Sequence, residues 1–454
     1  MIFRAIFFSL LWTVSQVTAK SLTGSRLLVA LEDADIKESY SKFFGDLESR
    51  GYTVDIQSPK NDKLSLFQHG ERAYDHVIIF PPKAKAYGPA LTPQKLVEFT
   101  SKDGNILLLT SPFGTPEQAR ELARELDIDL PPRDFLAVDH FNYDTVSASE
   151  KHDVILVQRP PPSKSAQNYF SGKEGDVIAF RGTGHTLGNR PLLFPVLPAA
   201  RTAYTYDTKE DFAYAEEPWS AGTQMHYVTA VQLRNNARVV VSGSAEMFSN
   251  EFFDMEVQAP NGQATKTANQ EFAKEITQWA FQESGVVKVI AVRHYLSNQT
   301  DAPINPNVYR VKNDITYEIE LSEWATDKWI PFTVPPNDSL QLEYTMLDPY
   351  YRLPLLPSTI TEDSTVYSTS FKAPDQHGIF AFRVNYKRPF VTYVDEKYTV
   401  TLRHFAHDEY TRSWDISAAW VWIAGIAVTI AGWVVFCMLW LYSAPTETSV
   451  KKTQ

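Results

Sequence analysis

Three short clusters combine residue types and spacings that could carry chemistry. Arg181-Gly182-Thr183-Gly184-His185-Thr186-Leu187-Gly188 follows an apolar run. Its backbone N–H groups could cradle a phosphate, with Arg181 and His185 as contacts to a sugar or pyrophosphate. The glycine spacing departs from a dinucleotide fingerprint, and Pro191, Pro195 and Pro198 bar a long helix that would lend its positive end. Plain loop geometry is the competing reading. Ser242-Gly243-Ser244-Ala245-Glu246 approaches the Gly-x-Ser-x-Gly elbow of a hydrolase but lacks the second glycine, so a tight turn after a core strand competes with catalysis. His404, His407 and Asp408 offer donors that suit zinc, at a spacing suited to a helix in a stretch that reads as a strand; a solvated junction is the alternative. Glu32, Asp33, Asp35 and Glu38 crowd the carboxyl end of the first strand, where α/β sheets bind ligands and where carboxylates also cap helices. No cysteine is placed to act as a nucleophile, because Cys437 is the only one and lies in an apolar stretch. No cofactor or metal is expected.

The two ends of the chain set the compartment. Met1 to Ala19 has a basic n-region, an apolar h-region and a small-residue cleavage site, the pattern of a removable signal peptide. Ala418 to Tyr442 carries no charge, has tryptophans near its edges and is long enough for a bilayer core of about 30 Å. Lys451 and Lys452 then match a dilysine retrieval address, so residues 417–442 are expected to be a transmembrane helix and 443–454 a cytosolic tail. The expected topology is single-pass type I in the endoplasmic reticulum membrane. Asn298 and Asn337 head luminal sequons. Gly425 and Gly432, among several alanines, would let a partner helix approach closely. A formal charge of −11 over 454 residues, without a basic stripe, excludes a nucleic-acid surface.

The elements that must position these residues alternate in the first half. Strands are expected at 26–31, 52–57, 76–80 and 105–110, and helices at 36–50, 92–100 and 116–126. Apolar strands separated by helices predict a mostly parallel sheet of the Rossmann or flavodoxin type over residues 20–285. Proline and serine clusters suggest two lobes split near 131–165, and residues 269–283 read as a closing helix. After Gly285 the texture turns to Tyr, Val, Thr and Phe runs, which predicts an antiparallel β-sandwich over 286–412.

Several blocks resemble one family. They include Asp35 to Phe44 leading into Arg50-Gly51-Tyr52, Tyr74 to Phe80, Val138 to Asp144, Phe180-Arg181-Gly182, Arg234 to Ser244 and Gly378 to Phe382. Together they are similar to the 48-kDa, wheat-germ-agglutinin-binding-protein type of oligosaccharyltransferase subunit, over nearly the whole mature chain. The resemblance implies membership of a complex that transfers a preassembled oligosaccharide from dolichyl diphosphate to asparagine in nascent proteins. It implies an accessory role, with catalysis in a separate multi-spanning subunit, and partners of the ribophorin and defender-against-cell-death types. It carries over no catalytic residue. An autonomous luminal glycan-processing enzyme or lectin is the expectation from a different class.

Overall fold

The computed structural model describes residues 20–32, 36–61, 63–147, 151–159, 169–173, 175–209, 218–260, 262, 264–299, 303–410 and 419–442. The expected signal peptide, Asp33, Asp35, Lys451 and Lys452 lie outside the described residues.

The first body is built on a nine-stranded sheet. Its strands are β1 (Arg26–Ala30), β2 (Thr53–Gln57), β3 (His76–Ile79), β4 (Asn105–Leu109), β5 (Ile128–Asp129), β6 (His185–Leu187), β7 (Leu193–Pro198), β8 (Met225–Gln232) and β9 (Arg238–Ser242). The order is β2-β1-β3-β4-β9-β8-β6-β5, with β7 also pairing β8. The five strands from β2 to β9 run parallel, and β8, β7, β6 and β5 join antiparallel. The sheet is therefore mixed, where the sequence predicts a mostly parallel one.

Strand after strand alternates its apolar side chains between two cores. Leu27, Val29, Ile78 and Leu107 join one cluster, and Leu28, Val77, Ile79 and Leu108 the other. The first is covered by α2 (Ser41–Ser49), α5 (Asn250–Asp254) and α6 (Asn269–Ala280), the second by α3 (Pro93–Ser101) and α4 (Glu117–Glu125). Burial of each such side chain stabilises the fold by about 1.5 to 3 kcal/mol. The expected helix over 36–50 breaks into α1 (Ile36–Ser39) and α2. The break at Tyr40 sets its ring 4.9 Å from Phe80 in the core.

Gly285, at φ +66°, ends this body; a Cβ there would sit 2.4 Å from Phe390 O, so only glycine fits. The second body follows in two five-stranded sheets. One contains β10 (Val286–Leu296), β12 (Asp314–Ala325), β13 (Lys328–Pro331), β16 (Leu356–Ile360) and β17 (Thr365–Lys372). The other contains β11 (Val308–Arg310), β14 (Gln341–Thr345), β15 (Pro349–Pro354), β18 (Gly378–Tyr386) and β19 (Val394–Arg403). All their pairs are antiparallel except β11 with β19. Ile315, Tyr317, Ile319 and Leu321 point from β12 into one core with Tyr344, Phe380, Phe382 and Val384 of the opposite sheet. Tyr317 stacks on Phe382 at 5.3 Å. Finally α7 (Ala419–Leu441) is 23 residues long, apolar throughout and unburied, and is long enough to cross a membrane.

Candidate functional site

The parallel strands end together along one edge, and the segments after β4 and β9 frame a cleft of about 360 Å³ there. Thr110, Ser111, Phe113, Arg181, Ser244 and Glu246 line it. Its shape follows from close backbone approaches. The Thr110 N–H donates to Ser242 O at 2.9 Å, and Thr183 N–H to Gly243 O at 2.9 Å. A Cβ on Gly182 would lie 2.3 Å from Gly243 O, so these glycines let two loops touch. Arg181 is half-exposed on the rim, with Nε 2.8 Å from Glu246 Oε2. Burial pushes the Glu246 carboxyl above its ordinary range, and the Arg181 guanidinium works against that rise. Both serine hydroxyls of the turn are spent on backbone: Ser242 Oγ donates to Ser244 O at 2.9 Å, and Ser244 Oγ to Arg181 O at 2.5 Å. Such a rim can bind a polar ligand through its guanidinium and carboxylate.

His185 is not on this rim. It is wholly buried in β6, with Nε2 2.7 Å from Thr229 Oγ1 on β8, and burial lowers its pKa to about 3. The structure thus separates the two candidate contacts of the glycine-rich segment. Of the acidic cluster, Glu32 accepts from Lys60 Nζ at 2.7 Å and from the Ala84 N–H, and Glu38 sits in α1. His404 packs at 3.8 Å on His377. Among the described residues no group of three metal-ligating side chains assembles, there or elsewhere. Asn298 is exposed just after β10 and donates to Asp314 Oδ2 at 2.8 Å. Asn337 is exposed in a turn, and its neighbour Asp338 is held by Arg388 and Tyr386. Gly425 and Gly432 stand two turns apart on one face of α7, with open space around both.

Two constellations escaped sequence reasoning. His140 Nδ1 lies 2.8 Å from His152 Nδ1 and its Nε2 lies 3.0 Å from the Tyr204 hydroxyl, with Tyr143 stacked on His152 at 3.7 Å. The other is the junction between the bodies. Arg238, wholly buried at the start of β9, donates to Trp279 O, Ser284 O and Gly285 O at 2.8, 2.7 and 2.7 Å. Trp279 Nε1 in turn donates to Phe390 O at 2.8 Å, in the β18–β19 connection. The signal was present in the sequence as an arginine opening an otherwise apolar strand, Arg238-Val239-Val240-Val241.

The sequence matches two family models, the OST48 N-terminal domain over residues 18–283 and the OST48 middle domain over residues 294–444. The chain belongs to the OST48 family. Within it, the Schizosaccharomyces pombe dolichyl-diphosphooligosaccharide–protein glycosyltransferase subunit wbp1 is 33% identical over 427 residues, 93% of each chain. The Caenorhabditis elegans 48 kDa subunit of the same enzyme is 31% identical, covering 94% of each chain. The Saccharomyces cerevisiae subunit WBP1 is 32% identical, covering 95% of this chain and 93% of its own. For this OST48-family chain, both the α/β body and most of the β body therefore fall within matched regions.

Proposed function

We propose that this chain is a non-catalytic subunit of an oligosaccharyltransferase, the complex that moves a preassembled oligosaccharide from dolichyl diphosphate to asparagine in Asn-x-Ser/Thr sequons. The observation that carries the reading is similarity over more than nine-tenths of the chain to proteins named as subunits of that enzyme. The cleft is consistent with it, because Ser242 and Ser244 spend their hydroxyls on backbone oxygens and Arg181 is committed to Glu246. The partners in this reading are a multi-spanning catalytic subunit, ribophorin-type subunits and a small defender-against-cell-death-type subunit. Through Gly425 and Gly432, α7 packs against a helix of one of them.

In this reading residues 1–19 are a signal peptide, residues 20–412 are luminal, α7 spans the endoplasmic reticulum membrane, and Lys451 and Lys452 form a cytosolic retrieval signal. Parallel strands with helices on both faces support a Rossmann- or flavodoxin-like description of residues 20–285. The core shared by the two later sheets supports a β-sandwich over 286–412. The chain's task is to hold the complex together and to help position its lipid-linked donor. Depleting the chain from cells tests this: sequon occupancy across secreted glycoproteins is expected to fall, and unchanged occupancy would count against the subunit reading.

A further inference from the structure

The strand register gives the β body two distinct ends. At one, Tyr386 pairs with Val394, and the connection between β18 and β19 docks on the first body. There Gln232 Nε2 donates to Val391 O at 2.9 Å, and the Tyr393 N–H to Asn236 Oδ1 at 2.8 Å. At the other end Gly378 pairs with Leu402, eight residues along β18 from Tyr386, or about 27 Å along the strand.

That far end is where the chain leaves for α7. Glu409 receives both Arg403 Nη1 and Nη2 at 2.8 Å, and Phe405 lies under the Arg310 guanidinium at 4.9 Å, so residues 404–410 are tied to the strand ends. Eight residues, 411–418, then separate this end from α7. At no more than about 3.5 Å per residue they reach at most about 30 Å.

The same end presents apolar side chains to solvent. Thr345 pairs with Ala381, which carries the β14–β15 hairpin tip level with the start of β18. At the tip Leu347 is 92% exposed, with Met346, Tyr350 and Ile379 exposed beside it. Met346 Sδ would lie 2.9 Å from a Cβ on Gly378, and Tyr350 stands 6.1 Å from Phe380, so these two tip residues lie against the start of β18. Tyr410, also exposed, lies on the chain's way to the helix. A projecting leucine flanked by tyrosine suits a fluid, amphipathic boundary, where aromatic rings collect. A water-facing hairpin tip is ordinarily polar.

We infer that the β14–β15 hairpin tip, with Ile379, dips into the head-group region of the bilayer next to α7 and fixes the height of the β body above the membrane. This rests on the reading of α7 as a membrane span. The test uses the full-length chain with Cys437→Ser, carrying one environment-sensitive fluorophore on Leu347→Cys, Glu362→Cys or Ile430→Cys. Each is reconstituted in phosphatidylcholine nanodiscs with nitroxide lipids of graded depth. Glu362, exposed in the β16–β17 turn at the end near the first body, reports water; Ile430 reports the middle of α7. The expected result is shallow quenching at 347, deep quenching at 430 and none at 362. Position 347 unquenched, or blue-shifted without lipid quenching because protein covers it, while 430 is deeply quenched, would overturn the inference and leave the span intact. An unquenched 430 would overturn both.

Discussion

Arg238 lays its guanidinium 4.7 Å over the ring of Trp279 and donates to that residue's own carbonyl at 2.8 Å. Both side chains are wholly buried. Through Ser284 O and Gly285 O the same guanidinium reaches the start of the second body, so one side chain joins sheet, closing helix and junction.

Arg238→Ala is expected to take from Ser284 O its guanidinium donor, to leave Trp279 O with the Gln282 N–H and Gly285 O with Thr392, and to open a cavity, costing about 3 to 5 kcal/mol. Arg238→Lys should recover little, because an ammonium cannot span three acceptors with a planar fork. Burial lowers the Arg238 pKa only to about 9, so the side chain remains a cation at neutral pH. Thermal unfolding of the purified full-length chain measures both losses; an unchanged midpoint in Arg238→Ala would show that the junction does not depend on it.

Acid should destabilise the luminal bodies through three buried histidines. Burial lowers His76 and His294 to about 4 and His185 to about 3. Below about pH 6.5 the unfolded chain takes up protons that the folded chain refuses, so stability falls as pH drops through that window. Each histidine contributes a slope of about 1.4 kcal/mol per pH unit. Glu246, Glu275 and Glu283, raised mainly by burial, oppose this, since they gain protons in the folded state first. His185→Gln should flatten the profile between pH 6 and 4 by about one histidine's slope. Denaturant titrations across that range read it directly.

Much of this architecture is legible in the sequence. The parallel strands read as unbroken apolar runs because both faces of that sheet are covered, and the expected strands 26–31 and 76–80 match the observed Arg26–Ala30 and His76–Ile79 to within one residue. The central antiparallel strand β8 was not legible, because His226, Thr229 and Gln232 break its apolar pattern. The fold satisfies two of them from elsewhere: Thr229 meets His185, and Gln232 meets Val391 O. β7 was hidden by Pro195 and Pro198, which its bulged pairing with β8 accommodates. The rim position of Arg181 and the burial of His185 depend on β6 pairing with β8, a contact between residues far apart in the chain. No local pattern encodes it.

Helix packing through α7 makes a separate prediction. A membrane helix contact worth about 1 to 2 kcal/mol corresponds to about 5- to 30-fold in association. Gly425→Leu with Gly432→Leu should strip partner chains during mild solubilisation without changing luminal thermal stability. Full partner retention would place the contact face elsewhere on α7.

Asn298 and Asn337 are both exposed and each should carry one glycan. Asn298→Gln and Asn337→Gln should each remove one endoglycosidase-sensitive step in mass. Asn337→Gln should cost less than about 0.5 kcal/mol, as surface substitutions do. Intact-mass measurement before and after glycan release checks both positions.

The most direct measurement is isolation of the full-length chain, tagged ahead of Lys451, from membranes in a mild detergent, with stoichiometric mass spectrometry of what accompanies it. The account predicts a multi-spanning oligosaccharyltransferase catalytic subunit and ribophorin-type chains in equal amount. A monodisperse chain without them, active by itself on glycans, would contradict it.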